Sequence, residues 1–183
     1  PKVLDHGNMD KKFGGSVRAK TRDGQSITDP KQTSDYLWYA VQRRVLSYLL
    51  KQREVDESRI GAKGYSYGGT IMWNLGMDPR VKAVVAYFGI GWNEYYRSKS
   101  VWMYNQPFVE PPRTAGEKLY LSTIAPQAHV PHMRAATLFL NGTNDHHGGH
   151  ERGQESFKLF QKGYNSGKPS NLTYLVSLKL NKC

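Results

Sequence analysis

The feature that most constrains this chain is the run Val81-Lys82-Ala83-Val84-Val85-Ala86-Tyr87-Phe88, bounded by the turn Asp78-Pro79-Arg80. A near-continuous apolar stretch of that length reads as a strand covered on both faces, and such strands belong to parallel sheets sheltered by helices. Its neighbours agree. Arg59 to Tyr65 reads as a short strand, Gly68 to Leu75 as a helix entered through a tight turn, and Ala135 to Leu140 as a second buried strand. Glu151 to Phe160 then suits a helix and Leu172 to Leu180 a final strand. Upstream, Ser34 or Asp35 can cap a helix running to about Gln52, with Leu37, Val41, Val45, Tyr48 and Leu49 at helical spacing and Arg43, Arg44 and Lys51 on the other face. Strands alternating with helices place the chain in the α/β class, with a mostly parallel sheet flanked by helices. Asp5 to Pro30 is mostly loop. Residues 89–132, rich in aromatics and broken by Pro107, Pro111 and Pro112, read as a lid-like insertion in one domain.

Composition narrows the classes. The 183 residues suit one packed core, and no uninterrupted apolar run approaches the ~20 residues of a membrane span, so a soluble chain without membrane contact is expected. The single Cys183 makes no internal disulfide and leaves the compartment open. Pro1 to Asp10 contain no signal-peptide apolar core. The net charge is +11, with 11 Lys/Arg against 5 Asp/Glu in residues 1–53, 6 against 1 in 152–183, and 9 against 9 between. Basic ends around a neutral middle are more often solvated faces than a phosphate footprint, and no nucleic-acid motif accompanies them. No nucleic-acid partner is expected.

The chemistry-bearing motif is Gly64-Tyr65-Ser66-Tyr67-Gly68, followed by Gly69. A serine on a sharp strand-to-helix turn needs small neighbours, because flanking side chains would collide with the strand and helix. Gly64 and Gly68 are read in that role. The turn aims the Tyr67 N–H and the helix N-terminus at the place where an oxyanion develops beside Ser66 Oγ. A serine hydroxyl also requires a base and a group to orient that base. Asp145 lies just past a buried strand, where open α/β sheets present functional groups, with an ordinary turn aspartate as the alternative.

These residues carry a resemblance. Val55-Asp56-Glu57-Ser58-Arg59-Ile60-Gly61 leading into Gly64-Tyr65-Ser66-Tyr67-Gly68-Gly69, then Asp78-Pro79-Arg80-Val81-Lys82-Ala83-Val84-Val85, resembles the α/β-hydrolase superfamily. Within it the chain is similar to acetylxylan-esterase and dienelactone-hydrolase-like serine hydrolases, which grade into prolyl-oligopeptidase-type peptidases. The strand ending in Asn141-Gly142-Thr143-Asn144-Asp145-His146-His147 is similar to that group's acid-bearing turn, and the likeness covers about residues 34–160. It implies Ser66 as nucleophile, Asp145 as triad acid and the Tyr67 N–H as an oxyanion donor. Two departures stand beside it. Leu172 to Cys183 holds no His where the family places its base, and the N-terminal half-sheet is incomplete, with His6-Gly7 a faint echo of the second oxyanion turn. The chain is therefore expected to be a fragment of a longer hydrolase, or a rearranged relative.

The remaining histidines supply candidates for the base. His147 and His150 are tethered near Asp145, and His146 in the same loop is a candidate substrate contact together with Tyr65 and Trp92. The aromatics can equally fill the core. A metal site in Asp145 to His150 is weighed and not assigned, because Gly148-Gly149 disfavour the helix that would align His146 with His150. His129 and His132 are read as structural. The leading expectation is a serine hydrolase cleaving carboxylic esters, acylated carbohydrate among them, through an acyl-enzyme and without a cofactor. A catalytically silent fragment or binding module and a serine peptidase are the alternatives.

Overall fold

The computed structural model describes residues 25–89, 114–143, 145, 150–164 and 172–177. Elements in chain order are α1 (Ser34–Leu49), β1 (Gly61–Tyr65), α2 (Tyr67–Leu75), β2 (Ala83–Tyr87), α3 (Ala115–Thr123), the single-turn α4 (Pro126–His129), β3 (Ala136–Gly142), α5 (His150–Tyr164) and β4 (Leu172–Ser177). Among the described residues four strands form one sheet in the order β1-β2-β3-β4, with each neighbouring pair parallel. Parallel pairing demands a crossover between successive strands, which is why α2 lies between β1 and β2 and α5 between β3 and β4. The fold is α/β, as the apolar runs predict.

Local chemistry sets the boundaries. Asp56 accepts from the Ser58 amide at 2.9 Å, the Ser58 hydroxyl at 2.6 Å and Arg59 Nε at 2.6 Å, fixing the 3-10 turn Glu57–Arg59 that delivers the chain into β1. The Asp and Arg of the V-D-x-x-R-I-G lead therefore hold each other. In β2, Val84 and Ala86 are buried on one face while Val85 and Tyr87 are partly covered on the other. Residues 69–75 of α2 are buried all round, the pattern of a helix enclosed by other elements. Met72, Trp73 and Leu75 join Val84 and Phe139 in one core, and Ile71 joins Tyr39, Tyr120 and Ile124 in a second. Trp73 is fully enclosed, its indole edge-on to Phe139 at 5.2 Å.

Helix α1 departs from its sequence reading. Thr33, not Ser34 or Asp35, is the N-cap, its hydroxyl accepting from the Tyr36 amide at 3.2 Å. Tyr39 and Leu46 are the buried apolar residues, whereas Val45, Tyr48 and Leu49 are exposed. Arg43, assigned to the outer face, turns inward to the Asn74 carbonyl and to Asp78. The stripe is rotated because Asp78 and Asn74 supply polar partners that keep Arg43 against the fold. Residues 115–132, in the segment read as an insertion, form α3, α4 and a 3-10 turn; residues 90–113, including Trp92, lie outside the described residues. No helix among the described residues is long and apolar enough to cross a membrane.

Candidate active site

Ser66 occupies the junction between β1 and α2 with φ 56° and ψ −119°, a left-handed conformation that non-glycine residues rarely adopt. Such a backbone costs about 1–3 kcal/mol and persists only where its surroundings enforce it. They do so by several routes. The Ser66 amide donates to the Tyr87 carbonyl at 2.8 Å, and the Ser66 carbonyl accepts from the Thr70 amide at 3.0 Å. A Cβ on Gly64 would fall 2.1 Å from the Gly68 carbonyl oxygen, and one on Gly69 would fall 2.7 Å from the Tyr87 carbonyl oxygen. These two absences let α2 fold back over the strand ends. Gly68 does not share the role given to it by the motif: a Cβ there meets no described atom within 4 Å.

Ser66 sits at the N-cap position of α2, yet its side chain makes no capping hydrogen bond, so its hydroxyl is left to other chemistry. The residue is half-buried. Tyr67 is the first residue of α2, which places its amide at a helix N-terminus, beside Ser66. Phe88, at the end of β2, also has positive φ, 52°, and its amide donates to the Leu140 carbonyl at 2.9 Å. This bend brings Gly89 beneath Gly69. Tyr65, exposed, packs its ring 5.2 Å from Tyr87 and 5.4 Å from Phe88, an aromatic surface next to Ser66.

The sheet register pairs Tyr65 with Tyr87 and Tyr87 with Leu140, so the segments after β1, β2 and β3 leave from the same edge. Ser66 follows the first and Asp145 the third. Asp145 is completely buried, its amide donating to the Gly142 carbonyl at 3.2 Å. β1 and β3 are two strand spacings apart, about 10 Å, a gap that an imidazole must bridge if the two residues are to cooperate. His150 opens α5 on the same connection, and His146 and His147 lie outside the described residues.

The Tyr67 side chain is anchored. Its hydroxyl donates to Asp35 Oδ1, and the Tyr120 hydroxyl donates to Asp35 Oδ2 at 2.7 Å. Burial pushes the Tyr67 phenol far above its ordinary value, and the neighbouring Asp35 carboxylate pushes it further, so it remains a donor. Nothing in the sequence signals this arrangement, since Asp35 is 32 residues from Tyr67 and 85 from Tyr120.

His129 is not at the serine. It is buried at the other end of α2, where a cavity of about 590 Å³ is lined by Tyr39, Arg43, Asn74, Met77 and His132 among others. Asn74 is about 12 Å along the helix from Ser66 at 1.5 Å per residue. His129 Nε2 lies 3.0 Å from the Thr123 carbonyl, which assigns the proton to that nitrogen. Burial pulls its imidazole down to about 4, with Arg43 and His132 acting in the same direction. It is neutral near pH 7. Among the described residues, no three His, Cys, Asp or Glu side chains are grouped to hold a metal ion.

A parallel sheet flanked by helices, with a strained serine between strand and helix and an aspartate beyond a later strand, defines the α/β-hydrolase fold. Residues 41–176 match the prolyl oligopeptidase family, and the chain belongs to it. No curated protein matches the sequence. Solved structures share the fold at low identity: a Mycobacterium tuberculosis puromycin-hydrolyzing peptidase at 19% identity, with 79% of this chain and 22% of that one covered and a TM-score of 0.59. The Pyrococcus horikoshii acylaminoacyl peptidase is 17% identical over 76% of this chain and 22% of its own, TM-score 0.55. Acetyl xylan esterase 1 from Thermoanaerobacterium is 17% identical over 88% of this chain and 53% of its own, TM-score 0.54. The chain thus spans about a fifth of the peptidases and half of the esterase.

Proposed function

We propose that this chain carries the nucleophile of a serine hydrolase that opens carboxylic esters through an acyl-enzyme. The observation that carries the reading is the strained backbone of Ser66 at a helix N-terminus with its hydroxyl uncommitted to capping. Strain of this kind is kept where the geometry is used. In the proposed reaction Ser66 Oγ attacks the carbonyl carbon while an imidazole, from His147 or His150, takes the hydroxyl proton. Asp145 orients that imidazole. The carbonyl oxygen becomes an oxyanion facing the Tyr67 N–H, a donor of a kind worth about 3 kcal/mol in the transition state. Collapse expels the alcohol with the proton from the imidazole, and a water molecule then releases the acid by the reverse steps. Tyr65 and Trp92 are proposed substrate contacts, with His146, and acylated carbohydrate is a candidate substrate class.

A second reading, cleavage of an acylated peptide or other amide, is favoured by the family match over residues 41–176. The two share every step up to the leaving group. Pre-steady-state hydrolysis of p-nitrophenyl acetate and of an acyl-amino-acid anilide tests both. A stoichiometric burst lost in Ser66→Ala supports acyl transfer, and the preferred leaving group chooses between ester and amide. A folded chain with no burst on either substrate leaves a binding module.

A further inference from the structure

We propose that Asp35 is a positioning residue for the oxyanion donor, acting on the Tyr67 amide through the Tyr67 side chain. The proposal rests on the serine-hydrolase reading and adds a residue that the nucleophile motif does not contain. Asp35 lies in the first turn of α1 and is half-buried. Each of its carboxylate oxygens is taken by one phenol, Oδ1 by Tyr67 and Oδ2 by Tyr120. No Lys or Arg among the described residues pairs with it. A half-buried carboxylate held by neutral phenols rather than by a cation is an unusual way to join helices. Phe at both tyrosine positions and an apolar residue at 35 would fill the same space without taking a charge from water.

The residue at the far end of this link explains the arrangement. Tyr67 is both the first residue of α2 and the neighbour of Ser66, whose backbone is strained at φ 56°. The simplest relaxation of that strain is rotation of the peptide between Ser66 and Tyr67, which would turn the Tyr67 N–H away from the oxyanion. Two restraints oppose it. The Thr70 amide holds the carbonyl of that peptide at 3.0 Å, and Asp35 holds the Tyr67 side chain. The Trp38 ring, from α1, meets Tyr67 edge-on at 6.4 Å and limits its sideways movement. Tyr120 in turn fixes Asp35 from α3, so three helices meet at the carboxylate that holds the Tyr67 side chain. Charge-assisted hydrogen bonds are stronger and more directional than neutral ones, which suits a restraint that must hold an angle.

The test compares Tyr67→Phe, Asp35→Ala, Asp35→Asn and Tyr120→Phe in the full chain. Kinetics with p-nitrophenyl acetate are combined with hydrogen exchange at the amides of residues 66–70. Tyr67→Phe and Asp35→Ala are expected to lower kcat at least tenfold with KM within twofold of wild type, and to speed exchange at those amides. Asp35→Asn, which still offers an acceptor, retains most of kcat. Tyr120→Phe also removes one hydrogen bond from Asp35 but leaves Tyr67 attached, and is expected to stay within threefold. The proposal is overturned if Tyr67→Phe keeps kcat within twofold, or if Tyr120→Phe loses as much as Tyr67→Phe. Should wild-type protein show no turnover, the hydrolase reading fails by itself, and exchange decides the link. Faster exchange in Tyr67→Phe and Asp35→Ala but not Tyr120→Phe supports it, and unchanged exchange overturns it.

Discussion

Gly69 and Gly89 meet backbone to backbone: a Cβ on Gly89 would lie 2.5 Å from the Gly69 carbonyl carbon, and one on Gly69 would lie 3.0 Å from Gly89 Cα. The start of α2 thus rests directly on the end of β2. The three glycines around Ser66, Gly64, Gly68 and Gly69, are not equivalent. Gly64→Ala and Gly69→Ala drive a methyl into backbone atoms and are expected to destabilise by about 3 kcal/mol, the upper range for overpacking. Gly68→Ala enters open space on a helix and is expected to stabilise by about 0.5 kcal/mol. Urea unfolding of the three variants checks the order.

Ser66 offers a second stability contrast. Glycine accepts positive φ without strain, and alanine does not. Ser66→Gly is expected to be more stable than Ser66→Ala by about 1 kcal/mol, although glycine loosens the unfolded chain. Both variants abolish acyl transfer. Equal thermal midpoints for the two would remove the strain argument.

His129 supplies a pH dependence. Its folded-state value of about 4 lies below the ordinary 6.5 of histidine because burial disfavours the charged ring. Between those values the unfolded chain binds the proton and the folded chain does not, so stability rises with pH. The contribution is present above pH 6.5 and is lost as pH falls towards 4, with about 2 kcal/mol going between pH 7 and pH 5. Urea titrations at the two pH values are expected to show a smaller drop in His129→Gln than in wild type by that amount.

Asp78 is buried against Arg80, which reaches it through Nε at 2.8 Å and Nη2 at 2.6 Å and also donates to Ser47 Oγ at 2.9 Å. Hydrogen bonding by Arg80 holds the Asp78 carboxyl below its ordinary value despite burial. The stabilisation is therefore present above the unfolded carboxylate value of about 3.9 and is lost as pH falls through the lower folded value. Arg80→Met is expected to destabilise by about 2 kcal/mol and to move acid unfolding to higher pH. This is less than the full loss of a buried pair, since Arg80 is 37% exposed and Arg43 remains 3.8 Å from Asp78. Circular dichroism across an acid titration measures the shift.

The strands were legible because their apolar runs are bounded by Asp78-Pro79-Arg80 before β2, Asn141-Gly142 at the end of β3 and the glycines after Tyr65. Their observed limits differ from the reading by a few residues, as at Arg59 and Ile60, where a capped turn replaces the strand start. Ser66 was legible because Gly64 must lack a side chain for Gly68 to return over it. The face of α1 was not legible. Its inward residues follow Arg43, whose partners Asn74 and Asp78 come from the far end of α2 and the turn beyond. Asp35 was hidden for the same reason, as an ordinary acidic residue in the first turn of a helix until Tyr67 and Tyr120 are brought to it.

Reaction of the intact chain with a fluorophosphonate, followed by peptide mass mapping, tests directly the assignment of Ser66 as nucleophile. One adduct per chain is expected, on the peptide carrying Ser66, and none in Ser66→Ala. A folded chain that takes up no reagent at Ser66, or takes it up equally at other serines, contradicts it.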